Sequence, residues 1–313
     1  MPGGLPPPST DAFGEPAPET GLIVKYDTQS SKWLDELGRD WSPAVRFSLP
    51  DRDVFAIDAT TLAQTTAWSG VGTTLFNMAV NPVSGEVYVS NTEARNEVRF
   101  EGPGVFGNST VQGHLAEARV AILDGATVTS RHLNKHIDYD VRPAPAGVKD
   151  HSLATPTGMA VSADGTTLYV AAFGSSKIGV LPTASLADDS FDPVTASTGY
   201  IPVSGGGPTG LVLDAARQRL YVLTRFDDAV SVVDLAGTPA ESAHLPLHNP
   251  EPAKVVNGRR FLYDANLTSS NGEASCSSCH VFGDMDDLAW DLGNPDDRVK
   301  KNPIPINLAI AIT

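Results

Sequence analysis

Short apolar runs, each four to six residues long and closed by turn-forming residues, recur along most of the chain. Leu22-Ile23-Val24-Lys25-Tyr26 and Val54-Phe55-Ala56-Ile57-Asp58 are the first, and their β-branched and aromatic content predicts strands. Trp33, Leu34 and Leu37 fit one helical turn by spacing, but a strand pair with a loop suits their surroundings better. Residues 1–20, rich in Pro, Gly and small polar residues, read as an extended linker.

The runs repeat. Pro156-Thr157-Gly158-Met159-Ala160-Val161 through Leu168-Tyr169-Val170 aligns without gaps on Pro208-Thr209-Gly210-Leu211-Val212-Leu213 through Leu220-Tyr221-Val222, at an offset of 52 residues. An earlier copy, Leu75 to Val89, lies 81 residues upstream of the first of these, which predicts an insertion around Glu101–Glu117. Each copy leads into a further strand, Arg119–Asp124, Lys177–Leu181 and Ala229–Asp234, and Val54–Asp58 is that strand in a partial preceding copy. Repeats of this length built from several short strands predict β-propeller blades, mainly β in class. Met78 and Met159, at equivalent positions, are expected in the propeller core.

The Pro-Thr-Gly strand, the Asp164-Gly165 turn and the Tyr-Val strand resemble the YVTN-type propeller family over roughly residues 50–250. About four blades are visible, and the resemblance implies a seven-bladed parent ring. Such a fold is nearly silent on function.

Function is written elsewhere. The chain has two cysteines, and both fall in Cys276-Ser277-Ser278-Cys279-His280. Two thiols a helical turn apart, with an imidazole directly after, are what covalent attachment of one c-type haem requires. Cys276 and Cys279 would add to the vinyl groups, and His280 would bind the iron as proximal ligand. A redox dithiol would want a βαβ setting, which is missing. Zinc would need a fourth ligand, and a disulfide across so short a loop would add little.

Gly258-Arg259-Arg260-Phe261-Leu262-Tyr263, then Ser269, Asn271-Gly272 and Ser275-Cys276, resemble the opening of a di-haem cytochrome c peroxidase-like domain over about residues 250–300. The resemblance implies the start of an α-helical cytochrome c domain fused behind a propeller. The expected organisation is a linker over 1–20, propeller blades over 21–250 and a truncated cytochrome domain over 251–313. A helix bearing Arg259 or Arg260 would offer a guanidinium to a haem propionate. No second Cys-x-x-Cys-His is present, so peroxidase chemistry does not carry over. As distal ligand, Met285 lies too near His280 in sequence, while His151, His244 and His248 are expected in loops that could approach a haem.

Charge narrows the partners. The formal charge is -15 and the pI about 4.7, so nucleic acid and anionic membranes are excluded as electrostatic partners, and a cationic redox partner would be steered in. Apolar residues make up 41% and charged residues 19%, as in a folded chain, and no apolar run is long enough to span a bilayer. The carboxylates of Asp284–Asp297 suit Ca²⁺ by ligand type but lack the closing bidentate Glu of an EF-hand. Trp290 is expected to pack on the haem edge or the propeller wall.

Haem attachment takes place outside the cytoplasm, yet residues 1–8 form no signal peptide, and the chain stops in mid-run at Thr313. Both features fit an internal piece of a longer periplasmic or extracellular protein. The expected function is electron transfer to a redox partner protein or a small donor or acceptor, with the propeller as docking scaffold. The alternatives are a peroxidase-like haem enzyme whose second haem lies outside this chain, and a propeller binding module with an accessory haem.

Overall fold

The computed structural model describes residues 23–35, 38–46, 51–98 and 113–290. The linker over 1–20, Leu37, most of the expected 101–117 insertion and the C-terminal run lie outside them. The chain divides into two compact units, one built from 52–94 and 116–283, the other from 1–51, 95–115 and 284–313. In the second unit, β1 (Lys25–Asp27) pairs antiparallel with β2 (Lys32–Leu34), placing Tyr26 opposite Trp33. Trp33 and Leu34 therefore lie in a strand pair and not in a helical turn.

The larger unit starts with a two-stranded sheet, β3 (Val54–Ile57) and β4 (Gln64–Trp68). Three four-stranded antiparallel sheets follow. The first is β5 (Thr74–Val80), β6 (Val87–Ala94), β7 (Ala116–Asp124) and β8 (Thr127–His132). The second is β9 (Pro156–Val161), β10 (Thr167–Ala172), β11 (Lys177–Pro182) and β12 (Ile201–Pro202), with α1 (Thr183–Ala187) and α2 (Pro193–Ala196) carried between its last two strands. The third is β13 (Pro208–Asp214), β14 (Arg219–Thr224), β15 (Ala229–Asp234) and β16 (Ala240–Pro246). In each sheet the strands lie in chain order, and β9 packs between β5 and β13. Sequential meanders with their first strands side by side are the blades of a β-propeller.

The Pro-Thr-Gly motif holds neighbouring blades together. Thr157 Oγ1 donates to the Pro208 carbonyl at 3.1 Å, so the threonine of one copy bonds the proline of the next. A Cβ on Gly158 would stand 2.4 Å from the Thr209 carbonyl oxygen, so only glycine allows this approach. On the other side, Ser90 Oγ donates to the Thr157 carbonyl at 2.6 Å.

Strand β10 shows why its sequence is an unbroken apolar run. Leu168, Val170 and Ala172 join Tyr88, Val120 and Ile122 of the blade before. From the opposite face, Tyr169 and Ala171 join Leu220, Val222 and Val233 of the blade after. A strand covered on both faces has no polar side to alternate with. Each fully buried Leu or Val side chain among them contributes about 1.5–3 kcal/mol of burial free energy.

Met159 lies in this core at 8% exposure, but Met78, its repeat equivalent, is 55% exposed, and Val80 beside it 60%. The expectation for Met78 is corrected. Among the described residues of this unit only the two-stranded β3–β4 sheet precedes β5, with no inner strands of that blade to cover the face carrying Met78. The last blade shows the mirror case. Val212 and Leu223 are 66% and 42% exposed, whereas Ala171, the repeat equivalent of Leu223, is fully buried.

The wider spacing of the first copy has two sources. Connection 95–115 replaces the short links 173–176 and 225–228 of the other blades, and connection 133–155 replaces 203–207.

Candidate functional site

Beyond β16 come α3 (Ala253–Tyr263) and α4 (Ala265–Thr268), which belong to the same compact unit as the blades. Asp264 ends one helix and starts the next: its N–H bonds the Arg260 carbonyl, and its carboxylate caps α4 by accepting from the Asn266 N–H at 2.9 Å. Arg259 is committed to the propeller side. Its Nη1 donates to Asp228 at 2.9 Å and to the Arg225 carbonyl at 3.2 Å, and its Nη2 pairs with Glu251. It is not a free partner for a propionate. Arg260 is half exposed, 4.0 Å from Asp264.

Aromatic rings fasten the helix to the blades. Tyr263 stacks on Phe226 with centroids 6.3 Å apart and meets the buried Phe173 edge-on at 5.2 Å. Phe282, two residues past His280, meets the edges of Phe173 at 6.0 Å and Phe76 at 6.1 Å. Such pairs contribute about 0.5–1.5 kcal/mol each beyond their burial.

Between these anchors runs the cysteine loop. Ser152 Oγ donates to the Asn271 carbonyl at 2.6 Å. Gly272 takes φ +73°, and a Cβ there would fall 2.6 Å from Lys149 Cβ, which requires glycine. Ser275 caps the 3-10 turn Cys276–Ser278. Its Oγ accepts from the Ser277 N–H, while Ser278 Oγ accepts from the Ser275 N–H at 3.1 Å. Ser275, just before the motif, and Ser278, inside it, thus form its capping device. The His280 N–H then bonds the Cys276 carbonyl at 3.0 Å, closing the motif as one turn.

Cys276, Cys279 and His280 all lie on this one turn. Cys276 and His280 are exposed and Cys279 is half-buried, and neither thiol is in a disulfide. Large apolar side chains on the adjoining elements are also exposed: Phe261 at 71%, Leu267 at 58% and Phe282 at 59%. Two thiols outside any disulfide, an exposed imidazole and exposed apolar side chains are compatible with a covalently attached macrocycle.

The loop's strongest tie is Glu273, 3% exposed, which sequence reading passed over. Its Oε1 accepts from the Ala118 N–H at 3.1 Å and from Asn134 Nδ2 at 2.9 Å, and lies 2.8 Å from His132 Nε2. Its Oε2 accepts from the Tyr139 hydroxyl. The one available signal was a carboxylate set among small neutral residues just before the cysteines.

The proposed distal residues are scattered. His151 ends a 3-10 turn and lies 2.7 Å from Ser197 Oγ. His244 is not in a loop but in β16, held between Asp227 and Glu241. His248 and Met285 are exposed. Trp290 is buried in the smaller unit, and its Nε1 donates to Asp286 at 2.8 Å. Burial pushes the Asp286 carboxyl above its ordinary range. Residues 291–297 of the acidic segment considered for Ca²⁺ lie outside the described residues. Among those described, no cluster of three His, Cys, Asp or Glu side chains is placed to hold a metal ion, and no helix is long and apolar enough to cross a membrane.

No family model matches the sequence, and no curated protein matches it. Solved structures similar to it include hydrazine synthase of Kuenenia stuttgartiensis, 15% identical, with 72% of this chain and 70% of that one covered at a TM-score of 0.45. A periplasmic gluconolactonase of Pseudomonas aeruginosa is 15% identical, with 79% and 69% covered at 0.40. A dihydro-haem d1 dehydrogenase is 12% identical, with 78% and 50% covered at 0.36. At such values the propeller assignment rests on the blade topology described above.

Proposed function

We propose that the chain is an extracytoplasmic c-type haem protein that transfers electrons, with YVTN-type blades as the scaffold on which a redox partner docks. The observation that supports this reading is the capped turn that carries Cys276, Cys279 and His280, with Cys276 and His280 exposed and neither thiol in a disulfide. Cys276 and Cys279 would hold the haem through thioethers, and His280 would be its proximal ligand. When bound, haem c supplies a one-electron iron couple. The chain's own residues orient that group: Ser275 and Ser278 fix the turn, and Phe282 ties its far side to Phe76 and Phe173. The helices α3 and α4 read accordingly as the start of a cytochrome domain, placed in the periplasm or outside the cell.

The test is substitution of the thiols in protein exported alongside a haem-attachment system. Cys276→Ser or Cys279→Ser is expected to leave a single thioether and a shifted haemochrome band, and the double variant no covalent haem. Covalent haem in the double variant would contradict the assignment.

A further inference from the structure

Glu273 sits three residues before Cys276, on the loop that carries the haem motif, and its carboxylate is buried against the first four-stranded blade. Burying a carboxylate is costly unless donors replace its water. Here they come from three places on the blade: the Ala118 N–H of β7, His132 at the end of β8, and Asn134 with Tyr139 in connection 133–155. Asn134 is itself fixed, since its Nδ2 also donates to the Leu153 carbonyl at 2.8 Å and its Oδ1 accepts from the Leu153 N–H at 2.7 Å. His132 stacks on Tyr139 with ring planes 16° apart. The receptor is rigid and accepts only one register of the loop. A shift by one residue would leave a buried carboxylate without donors and buried donors without an acceptor.

We propose that Glu273 is the positioning residue of the haem-attachment loop, locking Cys276, Cys279 and His280 in a fixed place on the propeller. The proposal rests on the haem reading above. It goes beyond that reading by making the blade, and not the helical segment alone, responsible for the geometry of the attachment site. It also accounts for the contrast between an exposed Cys276 and a half-buried Cys279 on one short turn.

The full chain without haem is pulsed with iodoacetamide, and alkylation is read separately at each cysteine by mass spectrometry. In the native chain Cys276 is expected to react faster than Cys279. Glu273→Ala should speed Cys279 about ten-fold or more, the loss expected when a buried charge-assisted anchor is removed. Hydrogen exchange in β6 and β10 should stay at its native level. Glu273→Gln keeps an acceptor for Ala118 and Asn134 and should restore the slow Cys279. Tyr139→Phe removes one donor and should fall between. In haem-loaded protein, Glu273→Ala should alter the Soret circular dichroism while Glu273→Gln keeps it.

An unchanged Cys279 rate in Glu273→Ala overturns the proposal. So does a rise that β6 and β10 share, because that is global destabilisation. Absence of covalent haem from the native chain overturns the haem reading instead, and the alkylation contrast then reports on the anchor alone.

Discussion

The hydroxyl of Thr157 donates to the carbonyl of Pro208, joining the Pro-Thr-Gly threonine of one blade to the Pro-Thr-Gly proline of the next. The same hydroxyl lies 3.2 Å from the Ala171 carbonyl, and the residue is 4% exposed. Thr157→Val keeps the volume and strands two buried acceptors. It should lower stability by about 1–2 kcal/mol, read as a shifted urea midpoint with an unchanged slope. A midpoint equal to that of the native chain would remove this bond from the blade contact.

Leu168 is fully buried in the cluster between the first and second four-stranded blades. Leu168→Ala should cost about 2–5 kcal/mol through lost burial and the cavity left behind. Val212→Ala, at a position 66% exposed, should cost well under 1 kcal/mol. Equal effects from the two would contradict the assignment of buried and open blade faces.

His244 lies 2.6 Å from Asp227 through Nε2 and 3.1 Å from Glu241 through Nδ1. Burial draws its pKa down, but the hydrogen bonds and charges of Asp227 and Glu241 together outweigh burial and leave it raised. A raised folded-state value means the protonated imidazole is favoured in the fold. The contribution is fully present below the unfolded value of about 6.5 and is lost as pH rises through the higher folded one. His136 is shifted the other way by burial, so the His244 contribution is read by difference: between pH 6 and pH 9 the native chain should lose more stability in urea unfolding, or gain less, than His244→Gln. The same change in stability with pH in the variant and the native chain would contradict that role for His244.

Legibility followed burial. The first three strands of each blade were readable because packing on both faces writes unbroken apolar runs such as Leu168-Tyr169-Val170. The fourth strands, β4, β8, β12 and β16, were not read. Ala240–Pro246 is largely exposed, Thr127–His132 has no buried residue, and the two mix Thr, Ser, Glu and His with few apolar residues. Met78 misled because the repeat fixes a residue's place in its own blade, while burial depends on the blade in front.

In the site, Cys276, Cys279 and His280 were singled out from chemistry and spacing. Their anchors were not. Glu273 meets Ala118, His132 and Asn134 across more than 130 residues of sequence, and Phe282 meets Phe76 across about 200. Local patterns carry no trace of such pairings. Arg259 resembled a propionate partner only because Asp228 and Glu251 could not be seen beside it.

The most direct test of the haem assignment is a pyridine haemochrome spectrum of the chain exported to an oxidising compartment with a haem-attachment system. The account predicts a c-type band from haem that survives acid-acetone extraction, one haem per chain. Haem that extracts, or none at all, would contradict it and leave Cys276 and Cys279 as an ordinary thiol pair on a propeller.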